Sequence, residues 1–175
     1  MDKNTGRLDF VAIDFETGMQ KLESAVSVGL VKFINNQEVD HYYSLIRPPR
    51  LYIRPDFTEI HGITVEDVCD APSFVDLWEK DIRPFIKGLP LAAHNALFDM
   101  GVLRAVLAHY DIPEPKLRCY CSLKSARKVW PDFKSHALTA LARQFKITYD
   151  AHNALADART CGIILLRANQ ENIIQ

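Results

Sequence analysis

The sequence predicts an α/β domain built on a mixed β-sheet, and three observations lead to this prediction. The first half of the chain contains three apolar runs of strand length. A short turn joins the second run to the third, and the second half alternates helical patterns with two further short strands. A hairpin followed by alternating helices and strands favours a mixed sheet flanked by helices over an all-parallel one. We expect five strands, of which the first three form an antiparallel meander.

Composition places the chain among globular proteins. Its 175 residues are 48% hydrophobic and 25% charged, which is enough apolar material for a substantial core. The sequence shows no repeat, low-complexity tract or interdomain linker, so residues 1–175 are expected to form a single domain. It also shows neither an apolar run of roughly 18 residues nor the apolar region of a signal peptide. We therefore expect a cytoplasmic protein and no membrane partner.

The three predicted strands of the first half cover about residues 9–16, 25–34 and 39–47. The turn-forming stretch Asn35-Asn36-Gln37 lies between the second and third strands and predicts an antiparallel hairpin. The proline-rich residues 47–55 cannot donate regular ladder hydrogen bonds, because proline lacks a backbone N–H. They are predicted to be a loop that leads from the sheet to helices.

Helical patterns and two short strands follow this loop. Thr64 and Ser73 are expected to cap two helices, and Pro84 predicts a kink or an early end in the second. A short buried strand at residues 91–93 precedes a helix that Asn95 is expected to cap. The remaining elements are one strand and three helices, at about residues 117–121, 123–129, 136–145 and 153–169.

Two acidic residues, Asp14 and Glu16, stand at the end of the first strand with one residue between them. Because side chains alternate across a strand, both carboxylates project to one face and Phe15 projects to the other. Two oxygen ligands on one rigid strand can bind divalent cations. The alternative is a strand end with two solvated acids, so the pair indicates a metal site only if further ligands lie nearby.

Asp99 and Asp157 are the candidates for those further ligands. Asp99 lies in the first turn after a buried strand, where the helix dipole alone could account for it but where ligands also gather. His152 and Asp157 are separated by about 140° on an ideal helix. Both can reach one site only if His152 lies in the loop before a helix capped by Asn153. Imidazoles exchange protons near neutral pH, which suits His152 to act as a general base.

Four short motifs occur in a defined order along the chain. They are Asp14-Phe15-Glu16-Thr17, Ile60-His61-Gly62-Ile63-Thr64, His94-Asn95-Ala96-Leu97-Phe98-Asp99, and the stretch from His152 to Ala158. In order and spacing they resemble the DEDDh branch of 3′-to-5′ exonucleases, in the DnaQ-like family of proofreading exonucleases of DNA polymerase III. The resemblance runs through nearly the whole chain and implies a ribonuclease H-like fold.

The resemblance implies a metal-dependent enzyme that removes nucleotides from 3′ ends and releases nucleoside 5′-monophosphates. The catalytic residues that it implies are the metal ligands Asp14, Glu16, Asp99 and Asp157 and the base His152. The substrate-binding residues that it implies are Thr17, Gly18, His61, Asn95 and Phe98. Four carboxylates carry a charge of about −4 and repel a phosphodiester, so two divalent cations are needed to neutralise the site. Carboxylate ligands favour two Mg²⁺ ions, for which Mn²⁺ can substitute.

The charge distribution also bears on the substrate. The net charge is −1, but the segment from Lys116 to Lys146 holds eight Lys or Arg residues and one acid. Its cations either contact the phosphates of an approaching strand or form a solvated helical face: Lys124, Arg127, Lys128, Lys134 and Arg143. Single-stranded DNA, in proofreading or repair, is the favoured substrate. The alternatives are an exoribonuclease acting on RNA 3′ ends or short oligoribonucleotides, and a catalytically silent nuclease fold that only binds.

The resemblance to proofreading subunits also points to a DNA polymerase as a partner. Those subunits carry a further C-terminal segment that tethers them to the polymerase. No such tether is seen in the sequence after the last predicted helix. We therefore expect either an enzyme that acts alone or one whose tether is missing from this sequence.

Overall fold

The computed structural model describes residues 6–148 and 150–174. Their strands form one five-stranded sheet in the order β3-β2-β1-β4-β5. The strands are β1 (Phe10–Thr17), β2 (Ala25–Ile34), β3 (Gln37–Leu45), β4 (Leu91–Ala93) and β5 (Cys119–Cys121). β1, β2 and β3 pair antiparallel, whereas β4 runs parallel to β1 and β5 runs parallel to β4. The predicted mixed sheet with an antiparallel meander is confirmed.

Eight α-helical segments surround the sheet in the part of the chain that the structure describes. They are α1 (Pro55–His61), α2 (Val65–Val68), α3 (Phe74–Leu77), α4 (Arg83–Ile86), α5 (Ala96–His109), α6 (Ser122–Val129), α7 (Leu138–Gln144) and α8 (Ala154–Ile174). A π-helical turn, Trp78–Ile82, joins α3 to α4, and Pro84 follows it closely. This wider turn lets the helix continue through the proline that predicted a kink or an end. None of the described helices is long and apolar enough to cross a membrane.

Two local predictions need correction. Asn95 precedes α5 but does not cap it with its side chain, because its left-handed backbone (φ 67°) is not the extended conformation that a side-chain cap requires. The sequence patterns also miss the helix α1, since the prolines before it favour a loop. The local signals for α1 are nevertheless present: Pro55 at the first position, Asp56 in the first turn and Gly62 in the left-handed conformation after the end.

Helices cover both faces of the sheet, and the alternation of side chains along β1 decides which residues face which helices. The β1 residues that pack with α3 to α5 on one face are Val11, Ile13 and Phe15. The β1 residues that pack with α8 on the other face are Phe10 and Ala12. The same alternation places Asp14 and Glu16, at the end of the strand, on the α8 side. The prediction that both acids project to one face therefore agrees with the observed strand.

Two glycines allow α8 to lie directly against β2. Gly29 pairs with Asp14 across the β1–β2 ladder, and a methyl group on Gly29 would overlap the backbone of Ala154 at the start of α8. A methyl group on Gly162, within α8, would likewise overlap the ring of Phe33. Neither position has room for a side chain, so the helix approaches the strand more closely than ordinary packing allows. The start of α8 consequently lies beside the carboxylates of β1.

We predict that Gly29→Ala destabilises the protein by about 1–3 kcal/mol, because the added methyl group must push α8 away from β2. Thermal unfolding followed by circular dichroism should show a Tm lower by roughly 2–4 °C per kcal/mol. Gly101→Ala is the matched control, since Gly101 lies within α5 and its added methyl group would meet only the flexible side chain of Leu22. An unchanged Tm in Gly29→Ala would contradict the tight contact.

Candidate active site

Five residues predicted to be catalytic come together where β1 ends, α5 begins and α8 begins. They come from β1, from the first turn of α5, from the loop before α8 and from the first turn of α8: Asp14, Glu16, Asp99, His152 and Asp157. All except Asp99 line one cavity of about 310 Å³. The sheet and two helix starts thus bring three distant segments of the chain to one place.

Asp99 lies behind this cavity and is only 2% exposed. Its Oδ1 accepts a hydrogen bond from the backbone N–H of Phe15 at 3.2 Å. Phe15 stands between Asp14 and Glu16, so this bond fixes the start of α5 against the strand segment that carries both acids. The first turn of a helix also favours a carboxylate, because the helix dipole is positive there.

The loop before α8 brings His152 and Asp157 together in the predicted manner. The backbone N–H of His152 donates to Oδ2 of Asp157 at 2.9 Å, and His152 adopts a left-handed conformation with φ 62°. Asn153 caps the helix, since its Oδ1 accepts from the N–H of Ala156 at 3.1 Å. Ligand atoms of Glu16, His152 and Asp157 all lie within 4.8 Å of one another. These three side chains can therefore approach a single ion.

The carboxylates of the site raise one another's pKa values. Burial, followed by the charges of the other three acids, raises the pKa of Asp14 well above its usual range. Burial and the charges of Asp157 and Asp99 raise the pKa of Glu16 to about 8. Burial also raises the pKa of Asp99, against the opposing effect of the hydrogen bond from Phe15. The fold thus holds these acids together at an electrostatic cost.

The donors of this site fit divalent cations. Carboxylate oxygens are the ligands that Mg²⁺ and Mn²⁺ prefer, and an imidazole nitrogen is compatible with Mn²⁺. Cations placed among these carboxylates would offset the repulsion that, in addition to burial, raises the pKa of Glu16. The residues that would hold cations are Asp14, Glu16, Asp99 and Asp157.

The residues predicted to bind substrate occupy different places. Phe98, which is 40% exposed, lines the cavity of the acids. Asn95 lines a second cavity on the other side of the start of α5. Gly18 is buried, and its N–H donates to the carbonyl of Ser24. Only Phe98 of these three therefore faces the acids directly.

Thr17 and His61, also predicted to bind substrate, contact each other. The backbone N–H of Ile63 donates to Nδ1 of His61 at 3.0 Å, so the hydrogen of the neutral ring lies on Nε2. That nitrogen donates to the carbonyl of Thr17 at 3.2 Å. Burial lowers the pKa of His61, which keeps the ring neutral. The pair ties the end of α1 to the end of β1, next to the acids.

His94, which the sequence analysis did not single out as a site residue, lines the same cavity. Its Nδ1 accepts from the hydroxyl of Ser122 at 2.8 Å, and its Nε2 donates to the carbonyl of His136 at 3.0 Å. Burial lowers the pKa of His94 to about 4. The ring of His136 in turn donates to the carbonyl of Trp130 at 2.8 Å. This chain of hydrogen bonds anchors residues 137–139, which form one wall of the cavity.

Comparison with known proteins explains this arrangement. The profile of a family described as "Exonuclease" matches residues 11–165. The chain belongs to this exonuclease family. Enzymes of the family hydrolyse nucleic acids from their ends and depend on divalent metal ions. The resemblance to DnaQ-like exonucleases seen in the sequence motifs is confirmed.

Relatives and solved structures agree with this membership. DNA polymerase III subunit epsilon of Buchnera aphidicola subsp. Schizaphis graminum is 32% identical to the present chain. The similarity covers 98% of the present chain and 78% of the length of the epsilon subunit. The structure of exonuclease X in complex with 5′-overhanging duplex DNA is 28% identical, with a TM-score of 0.74 over 91% and 90% of the two chains. The nuclease domain of 3′hExo, a DEDDh family member bound to rAMP, shares the fold at 18% identity, with a TM-score of 0.81 over 97% and 95%.

We predict that the exonuclease stripped of metal by a chelator becomes less stable as the pH rises from about 5 to 8. In this window the unfolded chain has released the protons of its carboxyl groups, whereas the raised pKa values of Asp14, Glu16 and Asp99 keep protons on the folded protein. A folded state that binds more protons loses stability with rising pH. Mg²⁺ should raise the Tm, and more at pH 8 than at pH 5. Calorimetry with chelator or Mg²⁺ measures both effects.

Glu16→Gln tests the origin of this dependence, because it removes one of the repelling charges. Without metal at pH 8, the variant should exceed wild type in stability by on the order of 2 kcal/mol. It should also gain less stability from Mg²⁺. Glu59→Gln is the control, since Glu59 is an exposed acid on α1. Equal responses of both variants to pH and Mg²⁺ would contradict the electrostatic interpretation.

Proposed function

We propose that this protein is a 3′-to-5′ exonuclease that shortens single-stranded DNA and releases nucleoside 5′-monophosphates, in proofreading or repair. The observation that carries the proposal is the approach of Glu16, His152 and Asp157 within 4.8 Å, beside Asp14 and Asp99. The relative named DNA polymerase III subunit epsilon and the exonuclease X complex with DNA support DNA as substrate. The relative's name also supports a DNA polymerase as the partner in proofreading.

In the proposed mechanism, the carboxylates of Asp14, Glu16, Asp99 and Asp157 would hold two Mg²⁺ ions, for which Mn²⁺ could substitute. Such ions, when bound, help to deprotonate the attacking water and stabilise the leaving 3′ oxygen. The charges of all three other acids act on Asp14, so Asp14 lies close to each of them and would be one of the residues that hold the cations.

His152 is the proposed general base. Its backbone is held by Asp157, while the residue is exposed at the mouth of the cavity. An imidazole in this position can take a proton from the attacking water and release it to solvent. Glu16 and Asp157 orient the same water through hydrogen bonds, because their oxygens lie within 4.8 Å of the His152 ring. The base therefore acts next to the residues that hold the cations.

The walls of the cavity are proposed to hold the terminal nucleotide. The partly exposed ring of Phe98 offers a surface on which a base can stack. Leu138, anchored through the hydrogen bonds of His94, faces the same cavity. Thr17 and His61 keep the end of β1 in place beneath the nucleotide. Stacking without base-edge contacts predicts removal of any terminal base.

The first test of this function is a nuclease assay. A 5′-labelled single-stranded DNA should shorten progressively with Mg²⁺ and remain intact with chelator, because the unneutralised carboxylates repel the phosphodiester. Gel electrophoresis of DNA and RNA of one sequence, run side by side, measures the preference between them. Faster cleavage of RNA would overturn DNA as the substrate. If both DNA and RNA stay intact with well-folded protein and either Mg²⁺ or Mn²⁺, the proposal that the protein is an exonuclease is wrong.

Two substitutions test the catalytic roles. Asp99→Asn and His152→Ala should lower kcat by about 100-fold or more, because they remove a cation ligand and the base. At pH 5 circular dichroism should show little change in Tm, because Asp99 is already protonated there and the amide oxygen of the introduced asparagine can still accept from the N–H of Phe15. His41→Ala, at an exposed histidine on β3, is the control and should retain full activity. Wild-type kcat in either variant would remove that residue from the mechanism.

A further inference from the structure

We propose that a second cavity beside the active site binds the single strand upstream of the nucleotide that is removed. This inference rests on the proposed function, because it assigns a path to the same substrate. The cavity has a volume of about 520 Å³ and lies between the start of α5, the strand β5 and the helix α6. We call it the upstream cavity, and the residues that define it here are Leu97, Met100, Leu123, Lys124 and Arg127.

The upstream cavity continues from the active site around the start of α5. Phe98 lines the active-site cavity, while its neighbour Leu97 lines the upstream cavity. Likewise, His94 lines the first cavity and Asn95 the second. His94 is also joined to α6, the helix that carries Arg127, because its Nδ1 accepts from the hydroxyl of Ser122 at 2.8 Å. A strand whose 3′ end lies among the acids therefore enters the upstream cavity directly.

Cations along one side of the cavity complement the phosphates of such a strand. Lys124 and Arg127 are exposed and stand three residues apart on α6, so they project from the same side of the helix. Among the described residues, neither forms an ion pair with an acid, whereas Arg104 in the same cavity pairs with Glu114 at 3.2 Å. Phosphates are the ligands that attract such unpaired cations.

The cavity is also lined by apolar side chains, which complement bases. Leu97 is 76% exposed, and Met100 and Leu123 line the cavity beside it. Nucleobases of a single strand bury apolar surface by stacking, whereas the bases of a duplex already stack on one another. A cavity lined by both cations and apolar side chains thus fits a single strand, whose phosphates and bases are both accessible. This combination argues against a site for a phosphate alone.

The neighbouring residue Lys128 separates this proposal from a general effect of positive charge. Lys128 is exposed on the same helix as Arg127 but lines a different cavity, which includes Leu8 and Val129. Its removal changes the net charge as much as the removal of Arg127 does. A specific site predicts that the two substitutions differ, whereas a diffuse attraction predicts that they are alike.

The test compares the binding of short and long oligothymidylates by fluorescence anisotropy, with Ca²⁺ present and without turnover. Wild type should bind eight nucleotides more tightly than two. Lys124→Ala and Arg127→Ala should each weaken binding of the octanucleotide roughly five- to tenfold and lower its salt slope by about 0.7. Both should leave the dinucleotide Kd within about twofold of wild type, because its two nucleotides remain in the active site. Lys128→Ala should leave both Kd values within about twofold.

Leu97→Ala tests the apolar lining of the upstream cavity. The substitution should weaken binding of the octanucleotide roughly fivefold without a change in salt slope, because contacts with bases release no counterions. The proposed role of the upstream cavity would be wrong if Lys128→Ala and Arg127→Ala weakened binding of the octanucleotide equally. It would also be wrong if a substitution weakened binding of the dinucleotide and the octanucleotide equally. The same holds if wild type binds both lengths equally. Since binding is measured without turnover, these outcomes are distinct from a failure of hydrolysis, which bears on the proposed function alone.

Discussion

The close packing of α8 on β2 is the contact on which the site depends. Gly29 lies opposite Asp14 and leaves room for the first turn of α8, which carries Asp157. Without this approach, the acids of β1 and α8 would remain apart. The apolar residues of α8 that pack on the sheet supply the free energy for the approach: Ala158, Leu165 and Leu166. Packing thus brings together side chains whose charges alone would drive them apart.

That repulsion is the reason why the site suits cations. The neighbouring carboxylates and burial that raise the pKa of Glu16 destabilise the folded protein in the absence of metal. The free energy lost to repulsion is recovered when cations bind, so the fold prepares the site for them. The hydrogen bond from the N–H of Phe15 to Asp99 also helps to prepare the site, because it fixes the orientation of the buried carboxylate. Stability and metal affinity are therefore linked through one group of side chains.

The elements that could be predicted from sequence are those set by local rules. Alternation along β1 placed Asp14 and Glu16 on one face, and helix geometry required His152 to precede a helix capped by Asn153. The contact between Gly29 and Ala154 joins residues that are distant in sequence, so no local sequence pattern predicts it. The same applies to the hydrogen bonds of His94, whose partners lie on α6 and before α7. For Asn95 the local rule gave a wrong prediction, because its residue type predicted a helix cap that its backbone conformation prevents.

The left-handed backbone of His152 has an evolutionary consequence. A non-glycine residue with φ 62° is conformationally strained, and glycine would suit the backbone better. Glycine, however, has no side chain that can accept a proton. Under the proposed role of His152 as general base, stability and turnover thus favour different residues at this position. In a family member that no longer hydrolyses nucleic acid, glycine at this position would relieve the backbone strain without a loss of function.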